Sequence, residues 1–173
     1  TSLFPVMLEL PASTTVDALL KSVKEQLRAI PRRGIGYGLL RYLHHDREIA
    51  NQLAALPQAQ ISFNYLGQLD GTLDESAWFT VTNESSGTEV SLHSKRSHLI
   101  EVVGFVRDGQ LHFNWTYDQN VHFHDTIAEL AQRVQTALQT LIHHCLLPDV
   151  GSYTPSDFPL AKLEQPQLDR LTT

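Results

Sequence analysis

The sequence has only one cysteine, Cys145, so it cannot form an internal disulfide and has too few sulfurs for a thiolate zinc site. It has no apolar run of the roughly 18 to 20 residues needed to span a membrane, and no signal-peptide pattern. Basic residues are also few, 13 against 19 acidic ones. A net charge of −6 disfavours nucleic-acid binding, which requires a basic face. We therefore expect a cytoplasmic protein that binds neither nucleic acid nor membrane.

The composition is that of a globular protein, with 42% hydrophobic and 18% charged residues. A length of 173 residues suits one compact domain or two small ones. The segment Thr1 to Leu10 reads as a strand without an initiator methionine or a polar leader. We expect a piece of a longer polypeptide, although a cloning boundary would look the same.

An apolar stripe predicts a first helix between Pro11 and Pro31. Thr14 and Asp17 resemble a capping box at its start. The charged residues off the stripe are predicted to form a solvated face, and they are Lys21, Lys24, Glu25 and Arg28.

A second stripe predicts a long helix that begins near Thr126, with a capping box from Thr126 and Glu129, and ends before Pro148. Cys145 falls on this stripe and is interpreted as a small core residue. The proline-rich remainder of the chain is predicted to be extended.

Runs of β-forming residues predict strands at 61–67, 99–107 and 110–117. The last two flank Asp108-Gly109, a pair favoured in tight hairpin turns. A further strand is predicted at 78–82, followed by a surface loop at 83–97 that includes a short strand at 90–93. The sequence thus indicates an α/β fold, with a mainly antiparallel sheet flanked by helices.

Glycines alternate in Gly34-Ile35-Gly36-Tyr37-Gly38, a pattern that suggests a phosphate-binding loop. A dinucleotide fingerprint would need a preceding strand and a third glycine at Leu39, and a Walker loop would need Lys-Ser or Lys-Thr afterwards. Both are absent. We interpret the three glycines as allowing backbone angles closed to other residues, at a tight backbone crossing.

The nine histidines do not form a recognised metal pattern. Neighbours such as His44-His45 and His143-His144 point about 100° apart on a helix. His122 and His124 could share one side of an extended segment, but a third ligand is missing at a recognised spacing. We therefore predict no metal site, and the lack of a Gly-x-Ser-x-Gly elbow disfavours a serine hydrolase.

Asn64 and Tyr65 lie together in the strand predicted at 61–67. An amide and a phenol there could orient a bound carbonyl or thioester. Alternatively, Tyr65 packs on the core while Asn64 satisfies a neighbouring backbone group. The residues alone leave both interpretations open.

Two longer motifs are informative together, Pro31-Arg32-Arg33-Gly34-Ile35-Gly36-Tyr37-Gly38 and Phe63-Asn64-Tyr65-Leu66-Gly67-Gln68. They resemble the last two signature motifs of epimerization domains in nonribosomal peptide synthetases. The first motif also favours an epimerization domain over an ordinary condensation domain. Thr1–Pro5, Asn114–Tyr117 and Tyr153–Ala161 are typical of the same family, so the resemblance covers essentially the whole chain.

The resemblance implies a fold similar to half of chloramphenicol acetyltransferase, with residues 1–149 as a C-terminal lobe and 150–173 as an extended tail or linker. It implies inversion of the α-carbon of an aminoacyl or peptidyl thioester, in a tunnel between two lobes. No cofactor would bind directly, because phosphopantetheine belongs to the partner carrier domain. The other partners would be the N-terminal lobe and, through the exposed inter-lobe face, a second copy.

The resemblance also implies roles for single residues. Asn64 and Tyr65 would line the substrate cleft. Structural roles are expected for the other motif positions, which are Gly34, Gly36, Tyr37, Gly38 and Gly67. The family's histidine motif and glutamate lie upstream, so no catalytic residue is assigned here and we expect the chain alone to be inactive. The alternatives are a non-catalytic platform for a carrier protein and the C-terminal lobe of an amide-forming condensation domain.

Overall fold

The computed structural model describes residues 3–13, 15–69, 87, 91, 94–148 and 153–172. The strands predicted at 78–82 and 90–93, and most of the predicted loop, lie outside the described residues. The chain divides into two compact units, one formed by residues 1–57 and 134–173 and the other by residues 58–133.

Most of the helices belong to the first unit. They are α1 (Val16–Arg28), α2 (Ile35–Gly38), α3 (Arg47–Ala55) and α5 (Gln165–Thr172). Short 3₁₀ turns lie at Pro31–Gly34 and Pro155–Asp157, and a π-helical turn lies at Leu39–Leu43. Helix α4 (His124–Cys145) starts in the second unit and ends in the first. No helix in the described part of the chain is long and apolar enough to cross a membrane.

Helix α1 lies close to the predicted position, but its cap differs. The N-cap is Thr15, whose hydroxyl accepts a hydrogen bond from the Ala18 amide at 3.4 Å. The capping box predicted from Thr14 is therefore wrong, and Thr14 itself lies outside the described residues. An acceptor at the N-cap satisfies one of the amides that the first helical turn leaves unpaired.

The segment before α1 is attached to the helix by one side-chain amide. The Glu9 amide donates to Gln26 Oε1 at 2.8 Å, and Gln26 Nε2 donates to the Glu9 carbonyl at 2.7 Å. Gln26 therefore bonds to the backbone of Glu9 as a neighbouring strand would. A shallow groove beside this contact is lined by Met7, Glu9, Leu10, Pro11, Ser22, Gln26 and Ala29.

Among the described residues, the second unit contains a three-stranded sheet in the order β1-β2-β3. Its strands are β1 (Ile61–Gln68), β2 (Ile100–Arg107) and β3 (Gln110–Tyr117). The predicted β2–β3 hairpin is confirmed, and its turn residues Asp108 (φ 53°) and Gly109 (φ 68°) both adopt the left-handed conformation that such a turn needs.

Strands β1 and β2 run parallel, so in the described part of the chain the sheet is mixed, and the prediction of a mainly antiparallel sheet is wrong there. A parallel pair needs a connection of about a dozen residues or more. The chain between Gln68 and Ile100 is long enough for that crossover, whereas the hairpin turn allows β3 to pair only antiparallel to β2.

The core of the second unit lies on one face of this sheet, against the start of α4. Ile100, Val102 and Ile127 are its buried residues. The partly buried side chains packed against them are Phe113, Trp115, Tyr117 and Leu130. The α4 stripe therefore reaches the core through Ile127 and Leu130.

Three predictions about the C-terminal part of the chain are wrong. Helix α4 begins at His124, which leaves Thr126 inside its first turn, and Cys145 at its last turn is exposed rather than in the core. The remainder of the chain contains the Pro155–Asp157 turn and α5, so it is not simply extended. Its proposed boundary near residue 150 stays a prediction.

Candidate functional site

Asn64 and Tyr65 lie in the middle of β1, where Asn64 pairs with Val103 and Tyr65 with Gly104. Successive side chains of a strand point to opposite faces of the sheet. Tyr65 therefore shares the face that carries the core, and Asn64 lies on the other face. Both residues are exposed, so a cleft on one face of the sheet would receive only one of them.

The ring of Tyr65 lies over Gly104. A Cβ added to Gly104 would stand 2.8 Å from the Phe113 ring and 3.4 Å from the Tyr65 ring. The missing side chain at position 104 thus makes room for two aromatic rings. Tyr65 is 52% exposed, and its hydroxyl makes no hydrogen bond with any described residue.

Asn64 occupies the opposite face, in register with Val103 of β2 and Asn114 of β3. Both asparagines are exposed. Within the described residues, the Asn64 side-chain amide has no hydrogen-bond partner, backbone groups included. It can therefore both donate and accept a hydrogen bond.

In the motif at 31–38, two arginines as well as a glycine adopt unusual backbone angles. Arg32 (φ 49°, ψ 33°) and Arg33 (φ 55°, ψ 37°) are left-handed, and Gly34 follows with φ 79°. Gly34 is buried, and a Cβ there would overlap the Phe4 ring, so the close approach at this glycine is made by a side chain rather than by the backbone crossing that was predicted.

The other motif glycines differ from Gly34. Gly36 and Gly38 are helical, and a Cβ on either would meet no atom within 4 Å. Of the three glycines, which the sequence analysis interpreted as allowing backbone angles closed to other residues, these two do not adopt such angles. Tyr37 lies half-buried in α2, and Gly67 adopts φ 82° where the β1–β2 register shifts.

A charged cluster joins α1 to the turn at Pro155–Asp157. Lys24 donates to one Asp157 carboxylate oxygen at 2.5 Å, and Arg28 donates to the other at 2.6 Å. The Ser156 hydroxyl donates to Glu25 at 2.5 Å. Lys24, Glu25 and Arg28 are therefore bonded to this turn while partly exposed, rather than simply solvated as the sequence predicted.

The same cluster includes a buried threonine, Thr154. The Thr154 amide donates to Asp157 at 3.0 Å, and the Thr154 side chain is fully buried. Hydrogen bonds from Lys24, the Thr154 amide and Arg28 hold the pKa of Asp157 far below its usual range. Burial alone would raise the pKa of Glu25, but hydrogen bonds from Ser156 and Thr154 outweigh it and lower that pKa.

The histidines do not gather into a metal centre in the described ranges, where no group of three His, Cys, Asp or Glu side chains could hold an ion. The ring of His124 is engaged elsewhere, because its Nδ1 lies 2.7 Å from the Tyr117 hydroxyl.

Three features escaped the sequence analysis. The left-handed Arg32-Arg33 pair was visible only as part of a glycine motif. The Asp157 cluster joins residues more than 100 positions apart, and local patterns cannot reveal such a contact. A glycine inside β2 was the available signal for Gly104, since strand glycines often mark a close approach.

A family model described as "Condensation domain" matches residues 1–163. The chain belongs to the condensation domain family. Among its relatives, it is 44% identical over 98% of its length to one of the subunits of linear gramicidin synthase and 42% identical over 98% to another, both from Brevibacillus parabrevis. It is 36% identical over 95% of its length to bacitracin synthase 3 from Bacillus licheniformis.

This condensation-family chain spans only 2 to 3% of the length of those relatives. It also matches the solved epimerization domain from the third module of tyrocidine synthetase B, with a TM-score of 0.64 and 35% identity over 74% of this chain and 28% of that one. The chain is therefore part of a nonribosomal peptide synthetase domain of the condensation superfamily.

Proposed function

We propose that this chain is part of an epimerization domain, which converts an L-aminoacyl or L-peptidyl thioester on a carrier protein to the D form. The observation that carries the proposal is the likeness to a solved epimerization domain. The ordered motifs at 31–38 and 63–68 support the same activity.

The reaction inverts a carbon beside a thioester carbonyl. A base removes the α-proton from one side, the electron pair moves towards the carbonyl oxygen, and an acid returns a proton from the other side. The negative charge that grows on the oxygen requires a hydrogen-bond donor. We assign the chain to the C-terminal lobe, which supplies one wall of the reaction chamber, and the proton-transferring groups to the preceding lobe.

Within this lobe, we assign Tyr65 to the developing oxyanion and Asn64 to the cleft rim. The Tyr65 hydroxyl has no partner among the described residues, and its ring lies against the space left open at Gly104. A donor held in place before the reaction stabilises charge without reorganising in the transition state. Phosphopantetheine would reach the site as part of the carrier's substrate rather than as a bound cofactor.

Exchange of the α-proton tests this function. The natural polypeptide that carries this chain is incubated in D₂O with an aminoacyl carrier protein, and deuterium at the α-carbon is followed by mass spectrometry. We expect exchange together with formation of the D product. Tyr65→Phe should slow exchange by roughly 100-fold, as expected for loss of one oxyanion donor. Absence of exchange in the wild-type polypeptide would refute the epimerase assignment.

Tyr42→Phe is the matched control, because Tyr42 is 73% exposed and lies under the Arg41 guanidinium, away from the motif strand in sequence. It should exchange at the wild-type rate. A second substitution, Asn64→Ala, should weaken binding of the aminoacyl carrier more than it slows the chemical step, and Asn114→Ala is its control on the same sheet face.

Amide formation is the second candidate, because the matching family model is described as a condensation domain. The same preparation, given a donor and an acceptor aminoacyl carrier, distinguishes the two. A dipeptidyl product without α-deuterium would favour condensation. Carrier binding without either product would favour the third alternative, a non-catalytic platform.

A further inference from the structure

One row of paired residues crosses the three-stranded sheet at Tyr65. Tyr65 of β1 pairs with Gly104 of β2, and Gly104 pairs with Phe113 of β3. Paired residues of neighbouring strands point to the same face of a sheet. The row therefore has an aromatic side chain at each end and no side chain in the middle.

Both rings reach over the glycine. A Cβ placed on Gly104 would stand 2.8 Å from Phe113 Cε1, 3.2 Å from Phe113 Cδ1 and 3.4 Å from Tyr65 Cδ2. Gly104 itself is buried. A glycine inside a strand often marks such a close approach. Two rings from opposite sides of β2 therefore share the space that a side chain at position 104 would fill.

The two rings differ in how firmly they are held. Phe113 is partly buried and packs against the core of the unit, and its ring centroid lies 6.5 Å from that of Phe63. Tyr65, by contrast, is 52% exposed. A half-exposed side chain keeps one orientation only if its neighbours restrain it, because three staggered χ1 rotamers compete. Phe113 is thus the fixed ring of the row, and Tyr65 is the one that depends on a neighbour.

We propose that Phe113 is a positioning residue that acts through Tyr65, by holding the tyrosine ring beside Gly104. The inference rests on the proposed function, in which the Tyr65 hydroxyl stabilises the developing oxyanion. Such a donor is most effective when it is in place before the charge develops. Gly104 is the second part of this arrangement, because a side chain there would displace the Phe113 ring from the row.

Two variants disturb the row in opposite ways. Phe113→Leu removes the restraining ring, and Gly104→Ala puts a methyl group into the space at the centre of the row. In the α-proton exchange assay with the natural polypeptide, each should lower kcat about three- to tenfold, since the competent rotamer of Tyr65 then shares its population with others. KM should stay unchanged, because the donor is used only in the transition state.

A double-mutant cycle with Tyr65→Phe separates positioning from a general effect on the fold. If Phe113 acts through the Tyr65 hydroxyl, Phe113→Leu should slow exchange in the wild type and have no further effect in the Tyr65→Phe variant. An equal slowing in both backgrounds would overturn the proposal, because the loss would then not involve that hydroxyl.

Trp115→Leu is the matched control for loss of an aromatic ring from this strand. Trp115 lies two residues along β3 from Phe113, on the same face, and also packs against the core, but it pairs with Val102 rather than with Gly104. It should lower the melting temperature without lowering kcat. A fall in kcat equal to that of Phe113→Leu would overturn the proposal by attributing both effects to lost core packing.

The same assay keeps this inference distinct from the proposed function. Exchange that is slowed by Tyr65→Phe but not by Phe113→Leu would remove the positioning role alone. Exchange that Tyr65→Phe does not slow would remove the roles of both residues and leave the epimerase assignment standing. Absence of exchange in the wild-type polypeptide would refute the epimerase assignment and the positioning role with it.

Discussion

The ring of Phe4 occupies the space in which a Cβ on Gly34 would lie. The two residues hold the N-terminal segment against the start of the glycine motif. Gly34 also has φ 79°, so a side chain at this position would be opposed by both backbone and packing.

Gly34→Ala should therefore destabilise the chain by about 2–4 kcal/mol, the combined size of a left-handed penalty and of overpacking. Gly36→Ala and Gly38→Ala are matched controls, because both glycines are helical and have open space around them. These two should be neutral or stabilising by up to about 1 kcal/mol. Urea unfolding gives the free energy of unfolding of all three variants. An equal loss in all three would contradict the special role of Gly34.

The folded chain should lose stability at acidic pH because Asp157 becomes protonated there. Its pKa is lower in the folded chain than the usual value of about 4 in an unfolded one. It therefore contributes stability that is complete above about pH 4 and is lost as pH falls towards the folded pKa. Asp157→Asn should lower the melting temperature at pH 7, with a smaller difference at about pH 3.

Salt gives an independent check of the same contact. Lys24 and Arg28 are partly exposed, so the attraction is screened and the effect of Asp157→Asn should shrink at about 1 M NaCl. Glu129→Gln is the control, since it breaks an exposed ion pair within α4. If Glu129→Gln lowers the melting temperature as much as Asp157→Asn does, the contact between Asp157 and α1 stabilises the chain no more than an ordinary exposed ion pair.

Gly104 should tolerate no larger residue while Phe113 is present. Gly104→Ala would bring a methyl group to within 2.8 Å of the Phe113 ring and cost about 1–3 kcal/mol. Phe113→Leu should recover part of this loss in the double variant, because the smaller side chain frees the space. A double-mutant cycle by thermal melting measures the coupling, and strictly additive losses would place the strain elsewhere.

The exposed apolar residues of β1 should cause the isolated chain to associate. Ile61, Phe63 and Tyr65 share one face of the strand and are 56%, 62% and 52% exposed. Apolar patches of this kind associate with one another when uncovered. Sedimentation should show concentration-dependent association that Phe63→Ser weakens and Leu160→Ser, at a 97% exposed position outside the sheet, does not. Monomer at every concentration would contradict this prediction.

The sequence predicted the elements whose cause is local. The apolar stripe located α1 and α4 within a few residues, and Asp108-Gly109 located the β2–β3 turn. The direction of β1 was not accessible, because pairing between β1 and β2 depends on a crossover whose length permits either direction.

The candidate site, too, could be predicted only where its features depend on local sequence. Asn64 and Tyr65 could be selected as polar groups on a strand, and the strand period places them on opposite faces once β1 is known. The packing of Tyr65 against Gly104 depends on the register between β1 and β2, which could not be predicted from the sequence. The partners of Asp157 could not be found, since Lys24 and Arg28 have the composition and spacing of an ordinary exposed helix face.

The contact between Gln26 and Glu9 has one more consequence. Both of its hydrogen bonds go to the peptide groups of position 9, and the Glu9 carboxylate takes no part in either. The anchor is therefore indifferent to the identity of that residue, with proline as the exception because it lacks an amide hydrogen. Substitutions other than proline at position 9 should therefore leave this contact intact, while a change of Gln26 to glutamate would replace the donor with a second acceptor and break the hydrogen bond to the Glu9 carbonyl.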